Sequence, residues 1–226
     1  MVKLVLFDID GTLVHTGGAG IKAFAKVFAS EFGIPNGTEK IKFAGRTDVA
    51  LVREFFSTHN IEPTGERFAL FFERYVFWLD HILAHSQTEA CPGVFDVIRA
   101  LQALPHPPTL GLLTGNIRLG AEIKLRHFDL WRHFVTGAFA DDHEDRDQIA
   151  HVAHRRGSGV FGRELRGEEI VVIGDTPLDV KCGRAIGAHV LAVATGGATL
   201  DELIRHKPDW AVRDLTCLPA EEICRR

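Results

Sequence analysis

Short apolar runs alternate with segments of helical periodicity over most of the 226-residue chain, and this alternation strongly limits the possible folds. The apolar runs are rich in β-branched residues and mostly continuous, which is typical of strands buried on both faces of a parallel sheet. The predicted strands are residues 2–8, 109–114, 133–137, 168–174, 189–194 and 209–212. The predicted helices between them are residues 93–104, 117–127, 145–156, 177–186 and 199–205. The pattern predicts an α/β fold with a Rossmann-like, doubly wound parallel sheet.

One segment, residues 15–91, interrupts this alternation. It contains no convincing strand, it carries ten of the sixteen Phe residues, and its apolar positions recur at helical spacing. We therefore expect an all-helical domain at 15–91, inserted into an α/β core formed by residues 1–14 and 92–226. Such an insert would overhang the carboxyl ends of the strands, where open α/β sheets bind ligands. The glycine-rich stretch at 16–20 is the expected hinge.

Composition excludes several classes of partner. Lys and Arg total 26 and Asp and Glu total 30, and the resulting net charge of -4 argues against binding to nucleic acid or to an anionic membrane. No apolar stretch approaches the roughly 20 residues of a membrane span. Asp8 and Asp10 end the N-terminal apolar run too early for a signal peptide, and the four cysteines form no CxxC pair. We expect a cytoplasmic protein, and the sequence leaves its oligomeric state open.

Two carboxylates, Asp8 and Asp10, follow the first predicted strand and are followed in turn by Gly11 and Thr12. Residues two apart on an extended chain point the same way, so these two carboxylates are expected to share a face. Clustered carboxylates repel one another unless a cation neutralises them, and Mg²⁺ prefers oxygen ligands of this kind. The first strand end therefore predicts a magnesium site.

Two further strand ends carry polar side chains. Asp175 and Asp179 follow the fourth predicted strand, and Thr114, Gly115 and Asn116 follow the second. Each of these groups alone is also compatible with an ordinary helix N-cap or turn. Capping does not account for all of them together at neighbouring strand ends, so their combination predicts a single polar site there.

The three groups resemble, in their order, the motifs of the haloacid dehalogenase-like hydrolase superfamily. The motifs in this sequence are Asp8-x-Asp10-x-Thr12, Leu112-Leu113-Thr114-Gly115-Asn116 and Gly174-Asp175-x-x-x-Asp179. The helical insert resembles the cap of the phosphoglycolate-phosphatase-like branch of that superfamily. Dehalogenase members lack the second carboxylate of the first motif, so the presence of Asp10 favours phosphoryl chemistry.

The resemblance implies a role for each of these residues. Asp8 would be the nucleophile that forms an aspartyl-phosphate, and Asp10 would protonate the leaving group and later activate water. Thr114 would donate a hydrogen bond to a phosphoryl oxygen. The implied magnesium ligands are Asp8, the backbone carbonyl of Asp10 and Asp175, with support from Asp179. The implied substrate-binding residues are Gly11, Thr12, Gly115, Asn116 and Arg46.

The sequence departs from the superfamily pattern at its basic residue, which is usually a Lys followed by Pro ahead of the last motif. No Lys-Pro pair occurs between residues 125 and 174. Arg146, at the start of a predicted helix, can take the role with its bidentate guanidinium, and Lys181 is the weaker alternative. Arg46 lies in a turn that this branch aims at the active site, where it would bind an anionic group remote from the phosphate.

The favoured function is a Mg²⁺-dependent phosphatase that hydrolyses small phosphomonoesters through an aspartyl-phosphate, with a small phosphorylated metabolite as substrate. Three alternatives stay open. A sugar-phosphate mutase would share the first half of the reaction, and a phosphoacceptor signalling domain would hold the phosphoryl group without turnover. A binding or regulatory protein could use the same fold without catalysis.

Overall fold

The computed structural model describes residues 1–39 and 41–225. In chain order, the strands are β1 (Leu4–Phe7), β2 (Val14–His15), β3 (Glu89–Ala90), β4 (Thr109–Leu113), β5 (Thr136–Ala138), β6 (Ile170–Gly174), β7 (His189–Val193) and β8 (Trp210–Val212). The helices are α1 (Ala19–Phe32), α2 (Asp48–Thr58), α3 (Gly65–Leu83), α4 (Val94–Ala103), α5 (Arg118–His127), α6 (Arg146–Val160), α7 (Pro177–Ala185), α8 (Leu200–Arg205) and α9 (Ala220–Cys224). Within the described ranges, no helix is both long and apolar enough to cross a membrane.

Six of the strands form one parallel sheet in the order β5-β4-β1-β6-β7-β8. This order confirms the predicted doubly wound α/β fold. The chain builds outward from β1 first through β4 and β5, then returns to the other side of β1 for β6, β7 and β8. The carboxyl end of β1 therefore lies at a topological switch point, where α/β sheets form their ligand crevices.

Successive residues of β1 face opposite sides of the sheet, as strand geometry requires. Leu4 and Leu6 pack with apolar residues of α6 and α7, whereas Val5 and Phe7 pack with those of α4, α5 and α9. All four side chains are fully buried. Burial on both faces explains why the strand reads as a continuous apolar run in the sequence.

The helices α1, α2 and α3 form a separate apolar cluster, and the Phe residues of the insert make up much of it. Phe28 of α1 stacks on Phe55 of α2 with ring centroids 3.4 Å apart, and Phe24 meets Tyr75 of α3 edge-on at 4.8 Å. Aromatic pairs of this kind add to the stabilisation that comes from area burial alone. The predicted helical character of the insert is thus observed over its three helices.

Two details of the strand prediction are wrong. Residues 15–91 do contain strand, because Val14–His15 pairs antiparallel with Glu89–Ala90. Two-residue strands are too short to show a periodicity, and they form only because the chain enters and leaves the helical insert at the same place. The strand predicted at 133–137 begins later, at Thr136, because Trp131–His133 form a 3₁₀ turn.

Candidate active site

A cavity of about 470 Å³ lies between the carboxyl ends of β1, β4 and β6 and the helical insert. The sequence-predicted residues that line it are Asp8, Asp10, Gly11, Arg46, Thr114, Gly115, Asn116, Arg146 and Asp175. Thr12 and Asp179 are fully buried directly behind it. The structure therefore brings together all of the predicted site residues except the alternative basic residue Lys181, although they lie up to 171 positions apart in the chain.

Asp8 is fixed at the end of β1. Its backbone N–H donates to the carbonyl oxygen of Ile173 at 2.9 Å, which continues the ladder to β6, and only 5% of the residue is exposed. One guanidinium nitrogen of Arg146 lies 3.1 Å from its Oδ1. Burial raises the pKa of the Asp8 carboxyl to about 6, against the lowering effect of Arg146. A carboxylate held in this way faces the cavity with its position set by the sheet.

The loop after Asp8 turns sharply and packs against Asp175. Gly11 has a φ of 81°, and a Cβ at this position would lie 2.6 Å from Oδ2 of Asp175. Only glycine combines that backbone conformation with so close an approach. Thr12, fully buried, donates its hydroxyl proton to Oδ1 of Asp175 at 3.1 Å. Gly11 lines the cavity directly, whereas the side chain of Thr12 acts by fixing Asp175.

Three carboxylates make up the acidic centre of the site. Oxygen atoms of Asp8, Asp175 and Asp179 all lie within 4.8 Å of one another. Burial, with added repulsion from Asp179 and Asp8, raises the pKa of Asp175 to about 8. A Cβ on Gly196 would overlap the Asp175 carboxylate, so glycine at this position permits the close packing of that carboxylate on the backbone. Closely spaced, mutually repelling oxygen ligands are what a divalent cation such as Mg²⁺ requires, and the residues present fit one.

Asp179 supports this centre from behind. Its Oδ2 accepts from the backbone N–H and the hydroxyl of Thr176, at 2.9 and 2.6 Å, which closes a capping box at the start of α7. Its Oδ1 accepts from Arg146. Both oxygens are therefore engaged with protein groups, and their direction is set by the N-terminus of α7.

Arg146 is the first residue of α6 and is 7% exposed. Besides its contacts with Asp8 and Asp179, its Nη1 donates to the carbonyl oxygen of Gly45 at 3.1 Å. Its Nε is buried without a hydrogen-bond partner within residues 1–39 and 41–225. Lys181, by contrast, is 65% exposed and pairs with Asp147 at 2.8 Å. The structure thus places Arg146, and not Lys181, beside the Asp8 carboxylate.

Thr114 and Asn116 are linked at the end of β4. The hydroxyl oxygen of Thr114 accepts from the backbone N–H of Asn116 at 3.3 Å and from its side-chain amide at 2.9 Å. The Thr114 hydroxyl proton therefore remains for an acceptor in the cavity. The second amide hydrogen of Asn116 goes to Oδ2 of Asp10 at 2.8 Å. Both amide hydrogens of Asn116 are thus used to hold Thr114 and Asp10.

Lys124 on α5 is a site residue that sequence reasoning missed. It is 3% exposed, and its Nζ donates to Oδ2 of Asp10 and to Oδ1 of Asn116, both at 2.6 Å. A signal for it exists in the sequence, because Lys124 lies three and four positions from Ala121 and Gly120 on the buried stripe of α5. A lysine on an apolar stripe is unusual unless it is paired.

The turn at residues 45–48 reaches the same loops from the helical insert. Arg46 lines the cavity and pairs with Glu54 at 2.5 Å. The N–H of Asp48 donates to the carbonyl oxygen of Gly115 at 2.7 Å, and its Oδ2 accepts from the N–H of Ile117 at 2.8 Å. A Cβ on Gly115 would overlap the carbonyl oxygen of Arg46, so glycine permits this close approach.

Asp48 is a second site residue that the sequence analysis did not single out. It is 7% exposed, and burial raises the pKa of its carboxyl to about 7, while the positive charge of Lys124 acts in the opposite direction. Thr47, just before it, donates its hydroxyl proton to the carbonyl oxygen of Glu144 at 2.7 Å. These contacts hold the insert against the loops that carry Asn116 and Arg146.

Proteins of known sequence and structure are similar to this chain. Phosphoglycolate phosphatase 1 of Pseudomonas aeruginosa is 27% identical over 203 residues, which cover 86% of this chain and 70% of that protein. The 2-deoxyglucose-6-phosphate phosphatase 1 of Saccharomyces cerevisiae is 25% identical over 232 residues, which cover 94% of this chain and 88% of that protein. The structure of CbbY from Rhodobacter sphaeroides in complex with phosphate superimposes with a TM-score of 0.69 at 18% identity, covering 88% of each chain.

The sequence profile of the haloacid dehalogenase-like hydrolases matches residues 5–193. That range runs from β1 to the end of β7 and includes all three motifs on which the resemblance rests. The predicted resemblance is confirmed: the chain belongs to the haloacid dehalogenase-like hydrolase family.

Proposed function

We propose that the protein is a Mg²⁺-dependent phosphatase that hydrolyses small phosphomonoesters through an aspartyl-phosphate on Asp8. The observation that carries this proposal is a buried carboxylate at the end of β1, held beside Arg146 and facing a cavity with Asp10 and Thr114 around it. Two relatives are named as phosphatases of phosphate esters, which supports the same reaction class. A cavity of about 470 Å³ suits a small phosphorylated metabolite.

Asp8, Asp175 and the backbone carbonyl of Asp10 would hold the magnesium ion, with Asp179 supporting them. When bound, the cation would supply positive charge next to the phosphoryl oxygens and to the carboxylates that now repel one another. The pKa of Asp175 is raised to about 8, first by burial and then by the nearby charges of Asp179 and Asp8, so a cation bound here would relieve a real cost of ionising this carboxyl.

The remaining steps belong to the side chains of the protein. The Asp8 carboxylate attacks phosphorus in line with the leaving oxygen, and Asp10 gives that oxygen a proton. Thr114 donates its free hydroxyl proton to a phosphoryl oxygen, and Arg146 adds charge on the same side. Asp10 then takes a proton from the water that attacks phosphorus, which releases phosphate and restores Asp8. The rate acceleration comes mainly from positioning the reacting groups and from neutralising charge, as is general in phosphoryl transfer.

We propose that residues 15–91 act as a cap on a core formed by 1–14 and 92–226. The strands β2 and β3 cross between the two parts side by side, and the glycines after β2 supply freedom of rotation. Gly17 and Gly18 both have positive φ, at 60° and 76°. A cap hinged there would open to admit substrate and would exclude water when its turn at 45–48 meets the core loops.

Phosphate release from an aryl phosphate, measured with Mg²⁺ and then with EDTA, tests the proposed function. We expect release that depends on Mg²⁺ and is lost with EDTA. Phosphorus NMR of a sugar phosphate then separates the mutase alternative, since a mutase would return an isomerised ester in place of free phosphate. A stable phosphoryl adduct without turnover would instead indicate a phosphoacceptor domain. Release unchanged by EDTA would contradict the metal assignment.

Replacing Arg146 by Ala is expected to lower kcat by about two orders of magnitude or more, because the change removes the positive guanidinium that stabilises the transferring phosphoryl group. Arg146→Lys should recover part of the loss, since a lysine restores the charge without the fork that also reaches Gly45. Arg155→Ala, which alters an exposed arginine of the same helix, is the matched control. Equal rates for Arg146→Ala and Arg155→Ala would rule out the proposed role of Arg146.

We propose that Arg46 binds an anionic group on the leaving part of the substrate. Arg46→Gln is then expected to raise KM about tenfold for an ester with a second anionic group, such as phosphoglycolate, and to leave KM for ethyl phosphate unchanged. Glu54→Gln removes the competing carboxylate, 2.5 Å away, and should lower KM for the same anionic ester. Equal changes for both esters in Arg46→Gln would argue against a specificity role.

A further inference from the structure

Lys124 is almost completely removed from solvent, yet it reaches the centre of the site. It is 3% exposed and lies on α5, behind the loop that carries Asn116. A buried ammonium group is costly unless it is paired with an opposite charge and hydrogen-bonded. The only carboxylate bonded to Lys124 in the described ranges is Asp10, with Nζ and Oδ2 2.6 Å apart.

The two oxygens of Asp10 have different surroundings. Oδ2 accepts from Lys124 at 2.6 Å and from the side-chain amide of Asn116 at 2.8 Å. Oδ1 has no hydrogen-bond partner among residues 1–39 and 41–225. The side chain is 45% exposed and lines the cavity. One oxygen is therefore tied to the protein, and the other faces the space where substrate would lie.

The same contacts fix the orientation of the Asp10 carboxyl group. Asn116 bridges the Lys124 ammonium group and the Asp10 carboxyl group. Its side-chain carbonyl oxygen accepts from Lys124 at 2.6 Å, and its side-chain amide donates to Asp10. Tyr75 and Gly20 of the insert lie on the other side of Lys124, where a Cβ on Gly20 would be 3.6 Å from Nζ and 3.7 Å from the Tyr75 hydroxyl. These are ordinary van der Waals distances, so the insert packs directly against the ammonium group. Lys124 is thus confined between the core and the insert.

We propose that Lys124 is a positioning residue, which anchors Oδ2 of Asp10 so that both proton transfers of the reaction take place at Oδ1. The inference rests on the proposed function and extends it to an atom and to a residue outside the three motifs. Its energetic basis is orientation, since misplacing a reacting group by about 1 Å can cost about 10²-fold in rate.

Proton balance follows for each half of the reaction. In the first half, the Asp8 carboxylate forms a bond to phosphorus, the bond from phosphorus to the ester oxygen breaks, and that oxygen takes the proton from Oδ1 of Asp10. In the second half, a water oxygen bonds to phosphorus, and one water proton passes to Oδ1. The bond from phosphorus to Asp8 then breaks. Asp8 leaves as carboxylate, Asp10 is protonated again, and one alcohol and one phosphate have been released.

Leaving-group dependence separates positioning from a general structural role. A 4-nitrophenolate leaves without help from an acid, whereas an alkoxide requires a proton in the transition state. In Lys124→Met, we expect a rapid burst of 4-nitrophenol from 4-nitrophenyl phosphate at a rate within about threefold of wild type. Steady-state turnover of this ester should fall about 10²-fold, because Asp10 must still activate water. For ethyl phosphate, the first half itself should slow about 10²-fold, without a burst of ethanol.

Lys26→Met is the matched control, because Lys26 lies on α1 with its Nζ 5.6 Å from the Trp78 ring and does not line the cavity. Lys124→Gln keeps a hydrogen-bond donor of similar length and replaces Lys124→Met if the latter does not fold. Lys124→Gln should show the same difference between the two esters, a near-normal burst with 4-nitrophenyl phosphate and a slowed first half-reaction with ethyl phosphate, but a smaller one.

Three results in Lys124→Met would each overturn the role of Lys124. The burst rate with 4-nitrophenyl phosphate and the rate with ethyl phosphate could fall by the same factor, neither rate could fall, or only KM could rise. Wild-type protein that releases nothing from either ester, with Mg²⁺ present, would contradict the proposed function and this inference together. If the wild-type protein is active but Lys124→Met loses the burst rate and the ethyl phosphate rate equally, only the inference about Lys124 is contradicted.

Discussion

Asp8→Asn is expected to abolish phosphate release, with a fall in kcat of about four orders of magnitude or more. An amide has no negative oxygen with which to attack phosphorus, yet it keeps the shape of the carboxylate and its hydrogen bond from the backbone to Ile173. The loss should therefore come from chemistry and not from misfolding. Acid-quenched wild-type protein should carry the phosphoryl group on the peptide that contains Asp8, and the variant should carry none.

Asp96→Asn makes the same chemical change on an exposed residue of α4, where 83% of the side chain is in contact with solvent, and should retain full activity. Thermal unfolding provides a second check. In metal-free buffer above about pH 6, Asp8→Asn should unfold at a higher temperature than wild type, because it removes a buried charge whose pKa the fold raises to about 6. Turnover retained in this variant, free of deamidated protein, would show that another group is the nucleophile.

The strand-end motifs are predictable from the sequence because strand geometry determines where they go. A buried strand that ends in Asp8 and Asp10 can only present these residues at the carboxyl edge of the sheet, and the same holds for Thr114 after β4 and Asp175 after β6. The parallel pairing of β1 with β4 and β6 then brings the three groups together.

The contacts that depend on tertiary packing are not predictable in this way. Lys124 is one of several basic residues near the end of α5, and only the helix rotation that buries Ala121 and Leu125 turns its ammonium inward. Asp48 begins a helix of the insert, so its contact with Ile117 depends on how the insert lies on the core. Such pairs are separated by many residues, so helical spacing can mark Lys124 as buried but does not identify its partner.

The short strands β2 and β3 show the same limit. Their pairing places the entry to the insert next to its exit, which local sequence does not reveal. Arg146 stands between these cases. Its place at a helix start is evident from the sequence, but the choice between it and Lys181 needs the structure, because only the helix geometry directs one inward and the other to solvent.

In the metal-free protein, the free energy of unfolding is expected to fall as the pH rises from about 4 to about 8. The fold raises the pKa of Asp8 to about 6, that of Asp48 to about 7 and that of Asp175 to about 8, whereas the unfolded carboxyls titrate near 4. In this range the folded state binds more protons than the unfolded chain. Stability from these groups is therefore fully present below about pH 4 and is lost as the pH passes through their raised values.

Mg²⁺ should reverse this dependence, because it binds the ionised carboxylates of the folded state and so stabilises the protein more as the pH rises. We expect the melting temperature in EDTA to drop by roughly 5–10 °C between about pH 5 and pH 8, and Mg²⁺ to restore most of that drop. Differential scanning fluorimetry across this range, with and without the metal, is the measurement.

Two substitutions identify which carboxylates are responsible. Asp175→Asn removes a proposed ligand, so it should flatten the pH dependence in EDTA and also remove most of the gain from Mg²⁺. Asp48 lies outside the group of carboxylates that approach one another within 4.8 Å. Asp48→Asn should therefore reduce part of the pH dependence of the melting temperature and leave the stabilisation by Mg²⁺ intact. A melting temperature of the metal-free protein that rose with pH would contradict the raised pKa values of these carboxyls. A full response of Asp175→Asn to Mg²⁺ would show that the acidic centre at the ends of β1 and β6 is not the metal site.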